Sequence, residues 1–268
     1  MYIETKDSAD SKTARSDRFD REVTHTTGAI ILNASESLHL EQVAEIIIAD
    51  GIAVIPFNGI YALCGNWDNP GAAHAIIEAK NRPENKNLIA IYPPEDVSLY
   101  ADLSQVPYSE DQIVALWKYV HALGIILPVS SQSPESLRVV NGDRVTLLNI
   151  WTEYRPLRTM MGHFRKLGGR GLVGTSANKS GEGVHFDANS LLLDFRYDVQ
   201  AVVMADFSHL PHGCQVSTTI IDLTGDRPEL YRKGSVSELE LRPALRFHGF
   251  PDLHVRDDVT SVSPRRSP

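Results

Sequence analysis

The sequence is poor in cysteine and has no long apolar run. Its two cysteines, Cys64 and Cys214, form no CxxC pair and no zinc-type spacing, so neither a disulfide framework nor a metal site is indicated. A reducing, cytoplasmic setting is the expectation. The most apolar stretch, residues 43–57, is interrupted by charged residues and a glycine and is shorter than the roughly 18 apolar residues that a membrane-spanning helix needs. We therefore expect no membrane-spanning segment.

The chain also lacks an excess of positive charge. Its 268 residues include 26 Lys and Arg against 34 Asp and Glu, which gives a formal net charge of -8. This balance argues against direct nucleic-acid binding, which favours a basic surface. The hydrophobic share of 42% and the charged share of 22% are those of an ordinary globular protein that can bury a core.

Both ends of the chain have few large apolar side chains. Residues 1–27 mix acidic and basic residues with many Ser and Thr, and they contain no apolar segment of the kind found in a secretory signal. Such a composition cannot offset the entropy lost on ordering. We predict a disordered tail at 1–27, a folded domain at 28–240, and a partly disordered C-terminal extension at 241–268.

Between these ends, short apolar runs alternate with helical patterns of apolar residues. This alternation predicts an α/β domain that begins with a β-α-β unit. Strands are predicted at 29–32, 52–56, 87–92, 124–129, 144–150, 171–175, 201–204, 218–223 and 229–232, and helices at 37–50, 70–80, 111–121 and 157–167. The last helix is predicted to stop at the glycine pair of residues 168 and 169.

Three cations surround the proline that follows the second predicted helix. Lys80, Arg82 and Lys86 lie within seven residues of one another. Cations are favoured at a helix C-terminus by the helix dipole, so a solvated helix end is one interpretation. The alternative is that these side chains aim several donors at one polyanion, as phosphate binding requires.

A polar turn follows the strand predicted at 171–175. It contains Ser176, Asn178 and Ser180, with Gly174 before it and Gly181 after it, a composition that lets the backbone approach a ligand closely. In α/β sheets, ligands bind beyond the C-terminal ends of the strands. The competing interpretation is an ordinary Ser/Asn turn whose side chains satisfy its own backbone.

Other candidate residues are weaker when taken alone. Ser217 and Thr219 begin a strand and Arg232 ends another, but threonine is simply a good strand former. The group His209, His212 and Cys214 matches no standard zinc pattern, so we predict no metal site in the protein. Cys64 is interpreted as a small core residue because no base stands beside it in the sequence.

Taken together, the order and spacing of these motifs resemble those of the YrdC-like family, which includes threonylcarbamoyl-AMP synthases. Residues 80–82 are similar to its KxR signature, and residues 176–178, followed by Ser180, are similar to its SxN signature. Residues 217–222 and 232–234 resemble its serine-threonine strand and its arginine-x-glycine ending. The similarity covers about residues 29–237, which is nearly all of the predicted folded part.

The resemblance implies a twisted mixed sheet with flanking helices around a deep, positively lined cavity. It also implies an enzyme that combines ATP, Mg2+ and bicarbonate, or another carbamoyl donor, with an amino acid or amine, forms a carbamoyl-type adenylate, and passes it to a downstream transferase. Lys80 and Arg82 would be the catalytic residues. The ATP-binding residues implied by the resemblance are Lys86, Ser176, Asn178, Ser180 and Arg232.

The chain departs from the family pattern where the amino acid would bind. Phe57, Asn58 and Gly59 replace two hydroxyls and an acid of the family motif, and residues 145–150 offer only Asn149 in place of an arginine. We therefore expect a substrate other than L-threonine; the alternative is a non-catalytic nucleotide- or RNA-binding module. The expected substrate-pocket residues are Phe57, Asn58, Tyr61, Ser217 and Thr219.

Overall fold

The computed structural model describes residues 28–57, 59–83, 87–120, 122–141, 144–179, 188–207 and 217–255. The strands are β1 (Ile30–Asn33), β2 (Ile52–Phe57), β3 (Ile60–Asn66), β4 (Ile89–Ile91), β5 (Leu123–Pro128), β6 (Val139–Asn141), β7 (Arg144–Trp151), β8 (Leu172–Ser176), β9 (Ala201–Met204), β10 (Thr219–Asp222), β11 (Glu229–Arg232) and β12 (His254–Val255). The α-helices are α1 (Ser37–Ile48), α2 (Pro70–Ala79), α3 (Val97–Tyr100), α4 (Glu110–Tyr119), α5 (Arg155–Lys166), α6 (Ala188–Phe195) and α7 (Glu238–Phe247).

These strands form one mixed sheet in the order β1-β9-β2-β3-β8-β4-β7-β5-β10-β11-β12, with β6 paired to β7. The predicted α/β class is therefore confirmed. Strands β1 and β2 are both parallel to β9, which lies between them, so the expected β-α-β unit is completed by a strand from late in the chain. Strands β3 and β8 pair antiparallel in the middle of the sheet, and both are almost entirely buried.

Four helices end in the same type of turn. The residue after each C-cap has a positive φ: Asp50 (67°), Asn81 (49°), Gly168 (94°) and Gly249 (77°). In each turn the backbone N–H of this residue and that of the following residue donate to carbonyls of the last helical turn. This arrangement is a Schellman motif. Sequence analysis predicted this stop at residues 168 and 169, where glycine tolerates the left-handed conformation.

The structure contains strand β3 and helices α6 and α7, which the sequence analysis did not predict. The apolar run of β3 pairs antiparallel with β2, and Gly59, just before β3, has a positive φ (93°) that glycine adopts without strain. Helix α7 spans residue 240, the predicted domain boundary, and strand β12 pairs with β11. The folded unit therefore continues to residue 255, while residues 1–27 and 256–268 lie outside the described residues.

Cys64 lies on β3 and is fully buried, and burial raises the pKa of its thiol above its usual range. This environment agrees with the interpretation of Cys64 as a core residue. Among the described residues, no helix has the length and apolar character needed to cross a membrane, and no three His, Cys, Asp or Glu side chains form a metal cluster. His209, His212 and Cys214 lie outside the described residues.

Helix α7 allows a test of whether its buried face stabilises the domain. Leu241 is 0% exposed, whereas Leu239, two residues earlier in the same helix, is 86% exposed. Leu241→Ala should lower the free energy of unfolding by about 2–5 kcal/mol because it leaves a cavity. Leu239→Ala should change it by less than about 0.5 kcal/mol. Equal effects of the two substitutions in urea unfolding would show that α7 is not packed on the domain.

Candidate functional site

A pocket of about 160 Å³ lies where the ends of several strands meet one face of the sheet. Its polar groups are the guanidinium groups of Arg82 and Arg232, four hydroxyls and one asparagine, and no carboxylate occurs among its lining residues in the described part of the chain. The pocket is therefore suited to an anion. Its lining residues are Phe57, Ile60, Ala62, Arg82, Asn87, Ile89, Leu148, Ile150, Thr175, Ser176, Ser217, Thr218 and Arg232.

The end of helix α2 directs two cations towards this pocket. Asn81 is the left-handed residue of the turn, its N–H donates to the Glu78 carbonyl (2.9 Å), and the next N–H, of Arg82, donates to the Ile77 carbonyl (3.0 Å). Asparagine tolerates this conformation better than most residues other than glycine. The turn reverses the chain within three residues, so the side chains on either side of Asn81, Lys80 and Arg82, both reach strand β8.

Lys80 joins the KxR motif to the SxN motif. Its side chain is only 2% exposed, and its ammonium donates to the Ser176 carbonyl, to Asn178 Oδ1 (3.2 Å) and to Ser176 Oγ (3.4 Å). Ser176 Oγ in turn donates to Asn178 Oδ1 (2.6 Å). Two segments almost 100 residues apart in sequence therefore form one hydrogen-bonded unit.

Arg82 forms hydrogen bonds with two other residues that line the pocket. One terminal nitrogen donates to Thr175 Oγ1 (2.7 Å) and the other to the Asn87 carbonyl (2.6 Å). Its Nε is buried and has no hydrogen-bond partner among the described residues. Burial lowers the pKa of the guanidinium from its usual value, yet arginine stays charged in proteins.

Arg232 enters the pocket from strand β11. Its Nε and one terminal nitrogen both donate to the Thr218 carbonyl (3.1 and 2.9 Å), and burial lowers its pKa. The chain then turns at Gly234, where a Cβ atom would overlap the carbonyl oxygen of Ser217 and the backbone of Thr219. Glycine at this position thus lets the end of β11 lie directly against the segment that precedes β10.

The structure places the predicted substrate-pocket residues in different environments. Phe57 and Ser217 line the pocket. Tyr61 and Thr219 are not among its lining residues, and their predicted role in substrate binding stays a prediction. Tyr61 is on the opposite side of β3 from Ile60 and Ala62, and its hydroxyl donates to the Ala205 carbonyl (3.0 Å).

The Thr219 side chain forms hydrogen bonds with the backbone of the segment that follows β11. Its hydroxyl donates to the Val236 carbonyl (2.8 Å) and accepts from the Val236 N–H (2.9 Å), which fixes the chain after Gly234. Asn58, Lys86 and Ser180 lie outside the described residues. Their predicted roles in substrate and ATP binding stay predictions.

Strand β7 presents a different face to the pocket from the one that the sequence analysis considered. Asn149 is 0% exposed on the opposite face, where its Nδ2 donates to the Leu147 carbonyl (3.2 Å). Leu148 and Ile150 line the pocket, so this part of the wall is apolar. The period of two along the strand could have identified these residues, because Asn149 lies between them.

A larger groove of about 470 Å³ adjoins the pocket and shares Asn87 and Leu148 with it. It extends along β5, β7 and β11, and unlike the pocket it contains carboxylates, from Asp222 and Glu229. A ligand longer than the pocket could therefore extend from a cationic end into a mixed polar groove.

Comparison with known proteins gives one family-level match. A family model for Sua5, YciO and YrdC proteins, described as "Telomere recombination", matches residues 45–234. A threonylcarbamoyl-AMP synthase from Vibrio campbellii is 28% identical over 146 residues, which are 54% of this chain and 74% of that protein.

Solved structures show the same fold. A double variant of Sua5 from P. abyssi has a TM-score of 0.71 at 23% identity, over 88% of this chain and 68% of that one. The same Sua5 complexed with L-threonine has a TM-score of 0.69 at 22% identity, over 84% of this chain and 63% of that one. Full-length HypF in its phosphate- and nucleotide-bound form has a TM-score of 0.57 at 17% identity, over 73% of this chain and 29% of HypF. The expected YrdC-like mixed sheet with flanking helices is thus confirmed.

The close backbone approach at Gly234 gives a test of the site's construction. Gly234→Ala should destabilise the protein by about 1–3 kcal/mol or more, because the added Cβ forces two backbone segments apart. The control is Gly162→Ala in helix α5, where a Cβ would have no neighbour within 4 Å. That change should stabilise the protein by about 0.5–1 kcal/mol. Destabilisation of the same size in both variants would contradict the described packing of Gly234.

Proposed function

The chain belongs to the Sua5/YciO/YrdC family, and on that premise we propose that it is an ATP-dependent nucleotidyltransferase. It forms a carbamoyl-type adenylate with release of pyrophosphate, on an amino acid or amine other than L-threonine. The observation that carries this proposal is the pocket in which Arg82, Arg232 and four hydroxyls converge, with no carboxylate among the lining residues that the structure describes. The adenylate would then pass to a downstream transferase.

The proposed reaction has two steps. The substrate amine condenses with bicarbonate to give a carbamate and water. A carbamate oxygen then attacks the α-phosphorus of ATP, and the bond from that phosphorus to the bridging oxygen breaks as pyrophosphate leaves. This chemistry needs positioning and charge neutralisation more than covalent help from the protein.

The cations around the pocket suit the nucleotide part of this reaction. The charge of Arg82 favours a phosphate oxygen beside it. Arg232, which also lines the pocket, is fixed by the Thr218 carbonyl. Magnesium would enter bound to ATP, since Mg2+ in such sites is held largely by substrate phosphates and water. HypF, a structural neighbour, is described as phosphate- and nucleotide-bound.

The apolar wall supports a change of substrate. Five residues contribute apolar side chains to the pocket: Phe57, Ile60, Ile89, Leu148 and Ile150. A substrate side chain that lies against this wall gains from hydrophobic contact, whereas a hydroxyl placed there would lose its hydrogen bonds to water. Sua5 from P. abyssi, by contrast, is described in complex with L-threonine. We therefore propose an amino acid with an apolar side chain as the substrate.

L-valine and L-threonine provide a direct test, because they have the same shape and differ by one hydroxyl. With ATP, Mg2+ and bicarbonate present, kcat/KM for pyrophosphate release should be about tenfold or more higher with L-valine, because an unpaired buried hydroxyl costs about 1–3 kcal/mol. Reactions without bicarbonate serve as the control and should release none. A preference for L-threonine would contradict the proposed substrate. ATP binding without pyrophosphate release from any amino acid would instead favour the non-catalytic module.

A further inference from the structure

Two lysines cross between the end of helix α2 and the polar turn that follows β8. Lys80, the C-cap of α2, donates to the Ser176 carbonyl in the turn. Lys179, which follows the turn, donates back to the carbonyl of Ala79, the last residue of α2 (2.6 Å). The two contacts run in opposite directions, so together they connect the segment that carries Lys80 and Arg82 to the turn that carries Ser176 and Asn178.

Lys179 is itself held in place by helix α6 and the residues that follow it. Its ammonium donates to Asp198 Oδ2 (2.7 Å) and lies 4.9 Å from the ring centroid of Phe195, which is fully buried. The Lys179 side chain is 21% exposed. The orientation of Lys179 is thus fixed by a carboxylate on one side and an aromatic ring on the other.

The contact with Ala79 satisfies an electrostatic need of helix α2. The last carbonyls of a helix lack intrahelical partners and carry the negative end of the helix dipole. Helix α2 has no basic residue in its own last turn. Lys179 supplies that missing charge from another part of the chain, and Lys80 is left to reach into the turn.

We propose that Lys179, oriented by Asp198, is a positioning residue that sets the spacing between the Lys80–Arg82 segment and the Ser176–Asn178 turn. The proposal rests on the proposed function of this pocket as a nucleotide site. Loss of the Lys179 contact would let the two segments separate while Arg82 and Ser176 themselves remain. Because the two segments would contact the same phosphates, their separation should weaken those contacts and lower nucleotide affinity.

The test compares Lys179→Met and Asp198→Asn with a control, Lys118→Met. Lys118 lies in helix α4 and forms an ion pair with Glu95. Helix α4 contributes no residue to the lining of the pocket. The Kd of ATP is measured by calorimetry well below the unfolding temperature. Hydrogen exchange of residues 172–179 is measured in the ATP-free protein.

We expect the Kd of ATP to rise at least tenfold in Lys179→Met and by a smaller factor in Asp198→Asn, with faster exchange of residues 172–179 in both. The control should stay within twofold of the wild type. A lower unfolding temperature with an unchanged Kd of ATP would overturn the proposal, since a purely structural brace would behave in that way. If the wild type binds no ATP, the proposed function fails, and unchanged exchange in Lys179→Met would separately overturn the positioning role.

Discussion

The architecture of the site depends on one buried ammonium group. Lys80 is 2% exposed, and a charge so far from water is tolerated only where hydrogen-bond acceptors surround it. The turn after β8 supplies them, through the Ser176 carbonyl and Asn178 Oδ1. This requirement fixes the conformation of the turn and holds the end of helix α2 against it. Arg82, two residues on, is thereby placed on Thr175 at the rim of the pocket.

The pleat of the strands decides which chemistry the pocket offers. On β3 and β7, alternate residues point to opposite faces of the sheet. The faces that line the pocket carry Ile60, Leu148 and Ile150, while Tyr61 and Asn149 point to the other side and satisfy backbone carbonyls there. The pocket therefore combines apolar residues with two guanidinium groups and four hydroxyls. Such a pocket suits a ligand with an anionic part and an apolar part.

Local patterns were sufficient to predict much of the fold and the family. The α/β class, the stop at Gly168 and the family followed from periodicity and motif spacing, because these depend on neighbouring residues. The side of the sheet on which Tyr61 and Thr219 place their side chains could not be predicted in this way. A motif specifies which residue occurs at a position, whereas the strand register decides the face on which its side chain lies. The roles of Lys179 and Gly234 depend on contacts with distant segments, at Ala79 and Ser217, which no local pattern reveals.

The most direct measurement of the central claim, that the pocket binds ATP through Arg82, is a calorimetric ATP titration of Arg82→Ala. Arg246→Ala is the matched control, since Arg246 is 67% exposed and pairs only with Asp252 among the described residues. Loss of a charge-assisted hydrogen bond worth about 1.5–3 kcal/mol should raise the Kd of ATP about tenfold or more in Arg82→Ala. The control should leave it unchanged. An unchanged Kd in folded Arg82→Ala protein would contradict the account.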